Sequence, residues 1–292
     1  MIRLDAATVL LQWAVGGLLF LWVTTRRREV GIGYGWLLRG VYAVLAVGAV
    51  AAGRVVGGSG GPAALVRDAA GSAVALAALV ALAVSVLRRR AGVAGERERL
   101  AVRSSRVEAM TGIARHADGP RSGVPEFPPA LDLVAPILGS VGLVAAGLAD
   151  AVGGAEALSV LRVVVGALFL GAISDAMLLG HWYLVQPGLG RAPLHELNRW
   201  SGVVWPFEVA LLLVPTGMLS VLGGSIDDGY GGLLGWFWVA CALTTIGLVV
   251  VTQLALRERA YSAVMAATGL LYLAILTAFG TDLVARAVLA GA

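Results

Sequence analysis

Apolar runs of about 20 residues recur along most of this chain, and they constrain its fold more than any other feature. An α-helix rises about 1.5 Å per residue, so a run of that length matches a hydrocarbon layer of about 30 Å. Eight runs are read, over residues 6–25, 36–53, 69–87, 130–149, 158–185, 200–222, 233–256 and 260–284. Of the 292 residues, 59% are hydrophobic and 14% are charged, against about 25% charged in an ordinary soluble domain. A soluble globular enzyme is excluded. The expected class is an all-α, polytopic integral membrane protein with eight transmembrane helices. Residues 1–87 would hold the first three spans, 88–128 a cytoplasmic loop, and 129–292 the last five.

The basic residues set the expected orientation. All 22 are arginine and none is lysine, which removes any lysine Schiff-base chemistry. Arg26–Arg28, Arg88–Arg90, Arg191, Arg199, Arg257 and Arg259 follow alternate spans. With Arg39 and the 88–128 loop, one side carries 17 arginines and the other five, namely Arg3, Arg54, Arg67, Arg162 and Arg286. Cytoplasmic loops are rich in such residues, so both termini are expected outside. The first run is read as a true span and not a signal peptide, because its basic cluster follows it. The arginine-only, Ala/Val/Leu/Gly-rich composition suggests a GC-rich bacterial genome, hence the inner (cytoplasmic) membrane. The bilayer and partner subunits are the expected contacts. Nucleic acid is not, since the net charge of +4 sits where topology requires it.

The loop segment from Glu96 to Arg115 spaces Leu100, Val107, Met110 and Ile113 helically among Arg97, Arg99, Arg103 and Arg106. This reads as a basic amphipathic helix for the inner leaflet, or for a docking partner. Prolines at 120, 125, 128 and 129 then break the chain. Gly57–Gly61 reads as a flexible turn, since no lysine or strand accompanies it. Asp132 reads as a helix-dipole residue. Gly139, Gly142, Gly147, Gly166 and Gly171 read as close-packing positions between helices. The single Cys241 reads as a packing residue. A faint likeness between Leu18–Trp22 and Leu178–Trp182 hints at two halves of four spans.

Ionisable groups in hydrocarbon are costly and so point to function. Arg39, Arg162, Asp282 and Arg286 lie close enough to span ends to be read as reaching the headgroups, and Gln12 and Gln253 as bridges between helices. Asp175 and Glu208 lie deeper, at similar heights in an antiparallel hairpin. They are the candidate catalytic, proton-handling pair. Pro206 and Pro215 flank Glu208 and leave the carbonyls of Gly202 and Leu211 without their helical donors, which must then be satisfied by a neighbour, water or ligand.

The same hairpin carries His181, Trp182, Tyr183, His195 and Arg199, the candidate cofactor-binding residues, while His116 reads as solvated. Imidazoles among aromatic rings suit a quinone headgroup, or one haem. Families with several membrane haems pair histidines on facing helices, and those pairs are absent here. No metal set and no enzyme motif is found. The favoured expectation is a membrane subunit of a respiratory or redox complex, with a quinone or haem site at the cytoplasmic end of the fifth and sixth spans. The alternatives are a proton-coupled carrier of a small solute and a structural or assembly subunit.

Overall fold

The computed structural model describes residues 4–55, 61–111, 125–186, 188–213 and 217–291. Residues 57–60, Ile113, Arg115, His116, Pro120, Pro187 and Pro215 lie outside the described residues. All regular structure in the described residues is helical. In chain order the helices are α1 (Ala6–Thr25), α2 (Ile32–Val55), α3 (Pro62–Leu87), α4 (Ala94–Thr111), α5 (Val134–Ala149), α6 (Glu156–Val185), α7 (Ala192–Leu213), α8 (Met218–Leu222), α9 (Leu233–Ala255) and α10 (Tyr261–Gly291). A 3-10 turn, Pro129–Leu133, leads into α5.

Among the described residues, seven helices are long and apolar enough to cross a membrane: α1, α2, α3, the Pro129–Ala149 segment, α6, α9 and α10. Large apolar side chains face outward around the bundle, including Val44, Leu76, Phe237, Leu243 and Leu276. Such an exterior needs hydrocarbon around it. The sixth apolar run departs from expectation. Helix α7 starts eight residues earlier, with polar His195, Glu196, Asn198 and Arg199 in its first two turns, and stops at Leu213. The chain resumes as the short α8. Those polar turns keep α7 outside the seven apolar helices.

Spans pack as two matching groups. In the first, α1 packs on α2, α2 on α3, α3 on α5, and α5 returns to α1. In the second, α6 packs on α7, α7 on α9, α9 on α10, and α10 returns to α6. The two leading helices, α1 and α6, pack against each other at the centre. Small residues permit it. A Cβ on Gly171 would collide with the Gly16 backbone, and one on Gly16 with the Ala167 carbonyl. Gly139, Gly142 and Gly147 likewise admit Val15, Ala70 and Val160.

Helix α4 keeps its place beside the basic end of the bundle. The Gly95 N–H donates to the Arg28 carbonyl at 3.0 Å, and Arg99 Nη2 donates to the Glu29 carbonyl at 2.7 Å. None of its residues is buried, and Leu100 and Met110 stand exposed.

Candidate functional site

Four arginines and acids that the sequence lets escape to the headgroups are instead buried. Arg39 is 2% exposed, Arg162 1%, and Asp282 and Arg286 0%. Their helices run further than the apolar runs imply, with α6 starting at Glu156 and α10 reaching Gly291. Their side chains turn to neighbouring helices rather than along their own axes to the surface.

Arg39 has a complete set of partners. Its Nε and Nη2 donate to Asp132 Oδ1 and Oδ2, each at 2.7 Å, and its Nη1 donates to Ser85 Oγ at 3.1 Å. Thr25 Oγ1 donates to Asp132 Oδ2 at 3.1 Å, and the Phe127 ring lies 4.3 Å from the guanidinium. Asp132 is therefore a buried ion-pair partner as well as a residue of a first turn. A pair this well satisfied is a structural clamp between α2, α3 and the entry to α5.

The second buried cluster is not satisfied. Asp282 and Arg286 are four residues apart on α10, so they share a face, and Arg286 Nε donates to Asp282 Oδ1 at 2.9 Å. Arg286 Nη2 donates to Gln12 Oε1 on α1 at 2.7 Å. A Cβ on Gly166 would strike the amide nitrogen of Gln12. From α6, Arg162 Nε donates to the Leu211 carbonyl at 2.8 Å, the acceptor that Pro215 leaves without a helical donor. Glu208 on α7 is within electrostatic reach of Asp282, Arg286 and Arg162. With the carboxyls ionised, seven polar atoms of this group have no hydrogen-bond partner in the protein, namely Gln12 Nε2, Arg162 Nη1 and Nη2, Glu208 Oε1 and Oε2, Asp282 Oδ2 and Arg286 Nη1, and a proton shared by Glu208 and Asp282 would join those two side chains. Buried groups are normally paired. An unpaired set of both charge signs, drawn from four helices, is the strongest mark of a site in the molecule.

Asp175 belongs elsewhere. Its Oδ1 accepts from the Tyr42 hydroxyl, and its backbone carbonyl accepts from the Tyr34 hydroxyl at 3.3 Å. Gly17 lets the Tyr42 ring approach α1. The two acids of the hairpin thus turn to different neighbours, Asp175 to α2 and Glu208 to α6 and α10, and they share no hydrogen bond. Glu208 lies level with the Arg162–Gly166 stretch of α6, well along that helix from Asp175, so the two acids differ in height as well as in azimuth.

The histidine cluster also divides. His181 is exposed, with Nδ1 3.3 Å from the Tyr272 hydroxyl on α10. His195 Nδ1 lies 3.2 Å from Gln253 Nε2 on α9, and Gln253 Oε1 accepts from Asn198 Nδ2 at 2.9 Å. Trp182 and Tyr183 brace the α6–α7 turn. Trp182 Nε1 donates to Gln186 Oε1 at 3.0 Å, and the Tyr183 hydroxyl donates to the Gly190 carbonyl at 2.5 Å. His195 and Arg199 share an open groove of about 620 Å³ that Arg27, Glu196, Trp200, Gln253 and Arg257 also line. Among the described residues, no group of three His, Cys, Asp or Glu side chains is placed to hold a metal ion.

The two ends of the bundle are tied differently. At the basic end, Glu196 pairs with Arg26 and Arg27, and Glu126 with Arg28 and Arg97. At the other end, Arg67 pairs with Asp5 and Asp68. Asp150, between α5 and α6, is buried there, and burial pushes its carboxyl up to about 6, with repulsion from Asp5 adding to the rise.

The fold and its buried charges define a class, a polytopic helical membrane protein with a polar core. No family model matches the chain, and no curated protein or solved structure matches it either.

Proposed function

We propose that the protein is a proton-coupled carrier of a small solute. In this reading it has eight spans, with α7 followed by α8 as the sixth of them, and both termini outside a bacterial cytoplasmic membrane. The observation that carries the reading is the cluster of Gln12, Arg162, Glu208, Asp282 and Arg286, each at most 1% exposed, with its seven unpartnered atoms. A charged side chain in hydrocarbon costs at least ~2.5–3.5 kcal/mol, and a scaffold gains nothing from leaving such groups unpaired. Glu208 is the proton-accepting group, because its carboxyl meets that of Asp282 and a proton can join the two. The matching four-helix groups also suit a carrier, since many are built from repeats with their site between them.

Reconstitution in liposomes with a lumenal pH dye tests this. Gradients of small organic acids, amines and sugars are applied in turn, and one of them should drive proton movement with the wild-type protein. Glu208→Gln should remove the pH dependence of that flux. PH-dependent flux that survives Glu208→Gln unchanged overturns the assignment.

A membrane subunit of a redox assembly is the second reading, favoured by the groove at His195, Arg199, Trp200 and Gln253. A quinone carbonyl would accept there from Arg199 or from an imidazole N–H, with its ring against Trp200. Quinone retained by purified protein and lost in His195→Ala would support it. Haem has less to recommend it, because His181 and His195 are each engaged by a different helix.

A further inference from the structure

The fork of Arg162 faces the site with nothing on it. Its Nε is committed to the Leu211 carbonyl, which fixes the guanidinium plane and leaves Nη1 and Nη2 side by side and unpartnered. That edge matches two oxygens of a planar oxyanion, the bidentate geometry guanidinium prefers. Glu208, with both oxygens unpartnered, lies within electrostatic reach of the same guanidinium. The protein therefore carries its own carboxylate as a rival for the fork.

Charge decides what guest can replace it. The charged groups acting on Glu208 are Arg162 of α6 and Asp282 and Arg286 of α10, and Asp150, which acts on Arg286 from the end of α5, is neutral below about pH 6. With both acids ionised, the two guanidiniums are balanced and no anion is called for. With a proton on Glu208, one positive charge is in excess, and a single negative charge restores neutrality. A dianion would leave the site negative inside hydrocarbon, and a cation would double the excess.

We infer that the site takes a small monocarboxylate on the Arg162 fork when Glu208 is protonated, so that one proton and one carboxylate travel together. This deepens the carrier reading and rests on it. Proton and substrate are coupled by competition. An ionised Glu208 occupies the fork, whereas a protonated one releases it. Every residue of the site is enclosed, so the guest enters only when helices part.

The test is calorimetric binding of formate and of pyruvate to the full-length protein in lipid nanodiscs, with chloride as the non-planar control. At about pH 5.5 both carboxylates should bind, and at about pH 8 at least roughly tenfold more weakly. Chloride should bind at least roughly tenfold more weakly than formate, as should formate to Arg162→Lys, which keeps the charge but loses the fork. In an Asp150→Asn background, which removes the other acid titrating in this range, Glu208→Gln should bind both carboxylates with no pH dependence, which keeps the inference testable if the arginine variant does not fold. Chloride binding equal to formate, binding of the wild type that ignores pH, or no carboxylate binding at all overturns it. Carboxylate binding with this pattern but no flux in liposomes sinks the carrier reading and leaves the site standing. Proton-coupled flux of an amine or sugar without carboxylate binding does the reverse.

Discussion

At the scale of single residues, burial without pairing separates a site from a clamp. Arg39 and Arg162 are both arginines within two or three turns of a helix end, and both are enclosed. All three nitrogens of Arg39 are engaged, whereas two of Arg162's are not. Removing one partner of a buried, hydrogen-bonded pair costs about 3–5 kcal/mol because the other charge is stranded. Arg39→Ala should therefore lower the thermal unfolding temperature sharply, and Arg39→Ala with Asp132→Ala should recover part of the loss. Asp150 gives a pH signature. Its folded-state carboxyl, near 6, lies above the usual carboxylate value of 3.8, so the folded protein holds a proton that the unfolded chain releases. Its contribution is full below about pH 4 and is lost as pH rises to about 6, a change on the order of 2–3 kcal/mol. Melting curves of Asp150→Asn across that range should be flatter than the wild type's.

At the scale of elements, the glycines and prolines decide what the helices can do. Gly16 and Gly171 let α1 and α6 touch backbone to backbone, so Gly171→Val must force the central helices apart. It should reduce yield of folded protein and melting temperature far more than the same change at Gly269, where an added Cβ meets nothing within 4 Å. One expected span becomes α7 and α8, with Pro206 held inside α7 and an extended Gly217 opening α8. An arginine on another helix repairs the carbonyl left bare. Asp228 performs a comparable repair at the start of α9, accepting from the backbone N–H groups of Tyr230, Gly232, Leu234 and Gly235. These bonds, that from Gly232 foremost, hold its carboxyl below the usual range. The proline signal was legible in the sequence, but the identity of the donor was not, because it comes from a helix about 50 residues away.

At the scale of the whole molecule, the arginine asymmetry predicts which end faces the cytoplasm. In a background with Cys241 replaced by Ala, single cysteines at Gly190 and at Asp227 should label oppositely with a membrane-impermeant thiol reagent on intact cells. Gly190 should be protected and Asp227 reactive, and the reverse pattern would invert the orientation. Helical class, membrane character and the places where helices must approach all follow from apolar run length and glycine position, and proline chemistry marks the sixth run as irregular. These are local properties that act through the backbone and the solvent. What the tertiary structure alone decided is azimuth, the direction in which each buried polar side chain turns. The sequence places Asp175 and Glu208 in one hairpin and leaves open whether they meet, and in the bundle one meets Tyr42 while the other meets Arg162, Asp282 and Arg286. In helices apolar on nearly every side, periodicity carries almost no record of which face meets which neighbour. Only the packed bundle supplies the rotation of each helix, and with it the partners of every charge.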